Sequence, residues 1–160
     1  VILYLIRHAK AEENHPEGDF FRRLSDRGIR RLQTLAKSLR GVDIQPQRHF
    51  SSPLIRALQT AEILMKNMGW KGQTEILDII QPGSDVTDFP KFLQGLGQIE
   101  RIALYTHNPY VQHLAEYLLS PNSHKEEIVF HTPSVLALDL PPPFQPHTAK
   151  FLWLVHHNDD

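Results

Sequence analysis

The chain opens on an unbroken apolar run, Val1-Ile2-Leu3-Tyr4-Leu5-Ile6, that stops abruptly at Arg7-His8. A run that is apolar at every position, not at alternate ones, reads as a strand buried on both faces, the habit of parallel sheets covered by helices. A second strand, Arg101 to Tyr105, ends the same way, in the polar pair Thr106-His107. Polar residues just past the carboxyl ends of buried strands stand where open α/β sheets place their ligands. Parallel strands of one sheet end on the same edge, so the two histidines are expected to face each other.

Helical and extended patterns alternate along the rest of the chain. Lys10 to Arg23 is polar, with one Pro and one Gly, and reads as a loop. Ser25 reads as the N-cap of a helix with Leu32, Leu35, Ala36 and Leu39 at helical spacing and Gly41 at its end. Pro46 to Phe50 reads as a second strand. Ser51-Ser52-Pro53 opens the next helix, with Pro in the first turn and an apolar face of Leu54, Ala57, Leu58, Ala61, Leu64 and Met65. Thr74 to Ile80 is read as a third strand, and Pro82 to Asp85 as a turn into a helix carrying Phe89, Phe92, Leu93 and Leu96. A helix from about Pro109 to Leu119 follows, then strands Ser134 to Leu140 and Lys150 to Val155 on either side of the Pro141-Pro142-Pro143 loop. The alternation predicts an α/β fold, a three-layer sandwich with a mostly parallel central sheet flanked by helices. The 160 residues carry no internal repeat and fit one domain, 1–160.

Composition narrows the function. The net charge of -1 argues against a basic nucleic-acid binder. The absence of cysteine excludes disulfides, thiol catalysis and Cys-ligated zinc, and fits a cytoplasmic protein. No apolar run is long enough to span a bilayer and no charged-then-apolar leader is visible, so no membrane association is expected. Nothing suggests an obligate dimer, and a monomer is expected.

Ten histidines invite either a metal site or phosphate chemistry. His156-His157 lie next to each other on a strand and so point to opposite faces, and no His-Glu-x-x-His pattern exists; no metal or other cofactor is expected. His15, His49, His113, His124, His131 and His147 are scattered and read as surface or structural groups, with His131 close enough to a strand start to reach the site's edge. Arg7 and Arg56, the latter in the first turn of a helix, are expected beside His8 and His107. Two guanidinium forks and two imidazoles suit a tetrahedral dianion, and helix N-termini add N–H groups of the right polarity.

Here the sequence resembles a known family. Leu5-Ile6-Arg7-His8-Ala9 resembles the signature of the histidine phosphatase superfamily, the phosphoglycerate mutase-like proteins. Ser52-Pro53-Leu54-Ile55-Arg56-Ala57-Leu58-Gln59-Thr60-Ala61 resembles its second motif, Thr106-His107-Asn108-Pro109 its third, and Leu24-Ser25-Asp26-Arg27-Gly28 the segment before its first helix. The resemblance runs from Val1 to about Leu140. Within the superfamily the chain is most similar to SixA-type phosphohistidine phosphatases, which share Arg-His-Ala, a compact chain without a large lid, and a turn like Pro82-Gly83-Ser84-Asp85.

The resemblance implies a phosphoglycerate mutase-like fold, His8 as nucleophile with a phosphohistidine intermediate, and Arg7, Arg56 and His107 as the clamp on the phosphoryl group. His107 would be protonated or donating. Arg22 and Asn108 are the expected substrate-binding residues. The arginine charges should lower the His8 pKa and keep its ring neutral. A general acid is not evident: Asn108 stands where many members have an acid, and Glu75, Asp78 and Asp85 read as exposed carboxylates. Without an acid, phosphohistidine is a better substrate than an alkyl ester, because imidazole leaves neutral while an alkoxide needs a proton. A phosphorylated protein is therefore the expected partner. The alternatives are a small phosphate ester as substrate, on a phosphomonoesterase of the same superfamily, and a weakly active phosphoprotein-binding module.

Overall fold

The computed structural model describes residues 1–123 and 128–157. Six strands, β1 (Ile2–Arg7), β2 (Arg48–Ser51), β3 (Thr74–Ile76), β4 (Arg101–Thr106), β5 (Ser134–Asp139) and β6 (Lys150–His156), form one sheet in the order β3-β2-β4-β1-β5-β6. The first four in that order run parallel, while β5 and β6 are antiparallel to their neighbours. Four helices cover the sheet: α1 (Asp26–Leu39), α2 (Ile55–Met68), α3 (Asp88–Gly95) and α4 (Tyr110–Leu118).

The period of two along each central strand divides the core. Leu3, Leu5, Ile102, Leu104, Leu136 and Leu138 face α3 and α4, packing with Phe89, Leu93, Val111, Leu114 and Leu118. Tyr4, Ile6, Ala103, Tyr105, Val135 and Ala137 face α1 and α2, packing with Leu32, Leu35, Ala36, Leu39, Ala61 and Leu64. This double burial is why β1 and β4 read as solid apolar strands, and it makes the sandwich three layers deep. Among the described residues no helix is long and apolar enough to cross a membrane.

Three expectations shift. Thr74 to Ile80 divides into the short edge strand β3 and a 3-10 turn, Asp78–Ile80. Leu77 N–H still donates to Ser51 O, but the chain then leaves the edge and turns the Ile80 side chain fully into the core. Ser52 and Pro53 stand outside α2, which begins at Ile55 after Leu54. β2 begins two residues later and ends one residue later than the expected Pro46 to Phe50, at Arg48–Ser51.

One close approach fixes the loop that follows β1. The Lys10 carbonyl accepts from Ser25 N–H at 2.9 Å and Ser25 Oγ at 3.1 Å, while Ser25 Oγ caps α1 by accepting from Gly28 N–H at 3.0 Å. A Cβ on residue 28 would lie 2.1 Å from the Lys10 oxygen, so only glycine fits. Gly28→Ala is expected to lower unfolding free energy by about 1–3 kcal/mol, the usual range for overpacking. Gly95→Ala, whose Cβ meets nothing within 4 Å, is the control. Equal thermal midpoints for the two variants would show that the loop gives way.

Candidate active site

The strand register assembles the site. β1 and β4 pair with Arg7 opposite Thr106, and His8 N–H donates to Thr106 O at 3.0 Å, so the parallel pairing continues one step past both strands. That step puts His8 and His107 side by side, ring centroids 5.0 Å apart at 61°. β2 arrives at the same level: Ser51 pairs with Tyr105, and Ser52 N–H donates to Tyr105 O at 3.0 Å. Ser52 Oγ lies 2.7 Å from His107 Nε2 and accepts from Leu54 N–H at 3.2 Å. Arg56, buried on the first turn of α2, points its Nε at His8 Nε2, 3.3 Å away.

The protonation pattern of His8 follows from its partners. Its Nδ1 lies 2.6 Å from the Ala9 carbonyl. A carbonyl only accepts, so Nδ1 carries the proton and Nε2 keeps its lone pair on the Arg56 side. Burial pushes the imidazole down to about 4; the Ala9 hydrogen bond opposes this, and the charges of Arg56, Arg7 and Arg22 add to it. Burial is thus the larger cause, and the arginines that the sequence pointed to come second. His107 is lowered to about 3, by burial first and then by His8, Arg56 and Arg7, against the pull of Asp19. Both rings are neutral at pH 7. Of the two states expected for His107, burial among cations favours the neutral one before any anion binds, and in it the ring still donates from one nitrogen.

Three guanidiniums surround the pair. Arg7 Nη1 donates to Phe130 O at 2.6 Å, and its Nε is buried with no hydrogen-bond partner. Arg56 Nη1 and Nη2 donate to the carbonyl and carboxylate of Asp19 at 2.9 and 3.2 Å. Arg22 donates from Nε to Asp19 Oδ1 at 2.8 Å and from Nη1 to Glu12 O at 2.9 Å. Burial raises the Asp19 carboxyl, but the Arg22 hydrogen bond and the charges of Arg56 and Arg22 outweigh it and hold the group below the usual carboxylate range. His107 Nδ1 and Asn108 Oδ1 are also buried without a partner. An unmade hydrogen bond of that kind costs about 1–3 kcal/mol, so Arg7 Nε–H favours a ligand that accepts from it, as does His107 Nδ1 in the tautomer that carries its proton there.

Sequence reasoning missed Asp19 and the work of Gln59 and Thr60. Thr60 Oγ1 accepts from Ala9 N–H at 3.1 Å and donates to Arg56 O at 2.8 Å, while Gln59 Oε1 accepts from Leu24 N–H at 2.8 Å. These two staple both ends of the loop after His8 to α2. Their signal lay in the second motif itself, where they follow Arg56 by three and four positions. Asp19 sits in a 3-10 turn, Asp19–Phe21, of a polar loop and gave no periodic signal.

The remaining candidates lie elsewhere. Glu75 forms a bidentate pair with Arg48 on the exposed β3 edge, and Asp85 accepts from Thr87 N–H and Oγ1. His49 is buried in the core with Nδ1 2.9 Å from Tyr105 Oη. His131 lies tilted against His156, centroids 4.4 Å apart, and its pKa is lowered by burial first, then by His156 and Arg7. His15 packs near Phe21 and His147 near Tyr117, and His113 is exposed on α4. His124 lies outside the described residues. Among the described residues no three His, Cys, Asp or Glu side chains form a group able to hold a metal ion.

The six-stranded, mostly parallel sheet carries an Arg-His pair at the end of β1, a second His at the end of β4 and an Arg at the head of α2, and the sequence is similar to the histidine phosphatase superfamily. The model of branch 1 of that superfamily matches residues 3–79. Among solved structures, the protein histidine phosphatase SixA complexed with tungstate shares the fold with a TM-score of 0.84 at 24% identity, over 98% of this chain and 97% of that one. An Agrobacterium tumefaciens protein assigned as a phosphohistidine phosphatase SixA follows with a TM-score of 0.79 at 21% identity, over 96% of each chain. A mycobacterial glucosyl-3-phosphoglycerate phosphatase is more distant, with a TM-score of 0.62 at 15% identity over 94% of this chain and 96% of that one. No curated protein matches the sequence. The fold is therefore phosphoglycerate mutase-like, and within it the likeness is to SixA.

The buried neutral histidines predict an acid-sensitive fold. His8, His107 and His49 have folded pKa values of about 4, 3 and 4 against an ordinary 6.5. Below pH 6.5 the unfolded chain takes up protons that the folded one refuses, so stability falls as pH drops from 6.5 towards 4, by up to about 1.4 kcal/mol per pH unit for each ring. His8→Asn is expected to fold, because residue 8 lies at a strand end, and to lose less stability than wild type between pH 7 and pH 5 in urea denaturation. Equal losses would mean that His8 titrates near its ordinary value.

Proposed function

We propose that the chain is a phosphatase that takes a phosphoryl group onto His8 Nε2, and that its substrate is phosphohistidine in a protein. The observation that carries this is the His8 ring itself: neutral, with Nδ1–H fixed on the Ala9 carbonyl, the Nε2 lone pair facing Arg56, and the charges of Arg7 and Arg22 acting on the same ring. In the first step the Nε2–P bond forms as the bond from phosphorus to the leaving nitrogen breaks. In the second, water attacks phosphorus, inorganic phosphate departs, and His8 recovers its lone pair. Arg7 Nε and His107 Nδ1, when protonated on that nitrogen, supply donors to the equatorial oxygens, and Arg56 and Arg22 add charge that stabilises the transferring group.

The substrate class follows from what the site lacks on the leaving side. Asn108 carries no acid proton, Glu75 and Asp85 are bonded elsewhere, and Asp19 is held ionised by its arginines. A leaving group that departs neutral needs no such acid. An alkyl phosphate does, which favours phosphohistidine over a sugar phosphate.

Radiolabelled phosphohistidine protein, followed by rapid denaturation, tests both parts. Acid-labile, base-stable label is expected on wild type and on His107→Ala, and none on His8→Ala, whose turnover drops by about a thousandfold or more. Equal labelling of both variants would reassign the nucleophile. Faster hydrolysis of a sugar phosphate than of phosphohistidine would move the substrate to small esters, and turnover independent of His8 would leave only a phosphoprotein-binding role.

A further inference from the structure

Asp19 is the charged group at the site that the two-step transfer does not use. Its carboxylate bridges two guanidiniums, Oδ1 on Arg22 Nε at 2.8 Å and Oδ2 on Arg56 Nη2 at 3.2 Å, while its carbonyl takes Arg56 Nη1 at 2.9 Å. Arg56 Nε is on His8 Nε2. All three nitrogens of Arg56 are thus engaged, two by Asp19 and one by the lone pair proposed to attack phosphorus. A guanidinium fork fits a carboxylate and a phosphoryl group by the same geometry, so Asp19 stands on donors that a phosphate would use.

The two ends of this contact differ in burial. The Arg56 side chain is 6% exposed and the Asp19 side chain 65% exposed, so the carboxylate is the partner able to leave. Room and freedom exist for it. Gly18, just before it, has φ +111, and a Cβ there would meet nothing within 4 Å. Beside it a cleft of about 500 Å³ is lined by Glu13, Asn14, His15, Gly18, Asp19 and Arg22.

We propose that Asp19 is a displaceable anion latch, which holds Arg56 against His8 until a phosphoryl dianion takes over its two guanidiniums. The proposal rests on the phosphatase reading and adds a positioning residue to it. While latched, Arg56 stays aligned and the Nε2 lone pair is covered. A dianion outcompetes the single negative charge of the carboxylate, whereas a monoanion does not, so the latch selects for doubly charged phosphoryl groups. The apparent phosphate affinity is then the intrinsic one reduced by the fraction of molecules unlatched.

Calorimetric titration with inorganic phosphate tests this on wild type, Asp19→Asn, Asp19→Ala and Arg56→Ala, each checked for its thermal midpoint. Removal of the competing charge is expected to tighten phosphate binding by about fivefold in both Asp19 variants, the scale that a partly solvated ion pair supplies. The KM for a phosphohistidine substrate should fall in parallel. A residue that merely braces Arg56 would give the opposite sign, and weaker or unchanged binding in Asp19→Asn overturns the latch. If wild type binds phosphate and Arg56→Ala does not, that result leaves the phosphatase reading standing. If neither wild type nor any variant binds phosphate, both ideas fall. Should Asp19→Ala unfold, the isosteric Asp19→Asn alone decides.

Discussion

The parallel pairing of β1 with β4 is the constraint from which the site follows. Six consecutive register pairs, Ile2 with Arg101 through Arg7 with Thr106, leave the two strands ending at one level. Because β4 also pairs with β2, Ser52 is carried to that level as well. Side chains far apart in sequence thus meet without any contact having to be made by a flexible loop. The driving force is burial on both faces: the apolar residues that alternate between the two core clusters cannot slip by one position without exchanging faces. The geometry of the candidate site is a by-product of hydrophobic register.

Burial then sets the electrostatics. A histidine kept neutral at pH 7 by desolvation is useful only if cations are near, yet desolvation disfavours those cations too, and burial does pull Arg7 and Arg56 below their ordinary value. The conflict is eased largely with main-chain carbonyls. Phe130 O holds Arg7, Asp19 O holds Arg56 and Glu12 O holds Arg22. A carbonyl satisfies a guanidinium donor without cancelling its charge, so positive potential is preserved for an anion. A cluster paired fully with carboxylates would be better solvated and far less able to attract phosphate. Asp19 is the partial exception, and its exposure keeps it so.

How much of this was legible in the sequence depended on whether a feature was local. The strand ends Arg7-His8 and Thr106-His107 are local, and a solid apolar strand before each was enough to place them on one edge. Arg56 needed only its place within the second motif. The 3-10 turn after β3 was not legible, because Thr74 to Ile80 has a strand-like composition and only the core position of Ile80 decides that the chain must turn. Nor was the start of α2: Ser52-Pro53 reads as a helix opening, but Ser52 is tied to Tyr105 O and to His107, both more than fifty residues away. Asp19 meets Arg56 across 37 positions from within a loop, and no pattern in either neighbourhood signals the other. The cause of the His8 shift was misjudged for a related reason: charges can be counted in a sequence, whereas depth of burial cannot.

The loop between His8 and α1 divides into parts with different duties. Its two ends are fixed: Ala9 N–H to Thr60, Leu24 N–H to Gln59, an Ala11 to Leu24 bridge, and the Lys10 carbonyl locked against Gly28. Those ties orient the His8 ring through Ala9 and leave little freedom near the chemistry. The middle, Glu12 to Arg22, touches the site through Asp19 and Arg22 and exposes Phe20 and Phe21. Changes in that middle stretch can alter which anion or which protein surface is admitted while the imidazole stays in place. With His8 as the proposed nucleophile, a fixed imidazole beside a more exposed loop segment would keep one chemistry while the choice of anion shifts through a single short stretch.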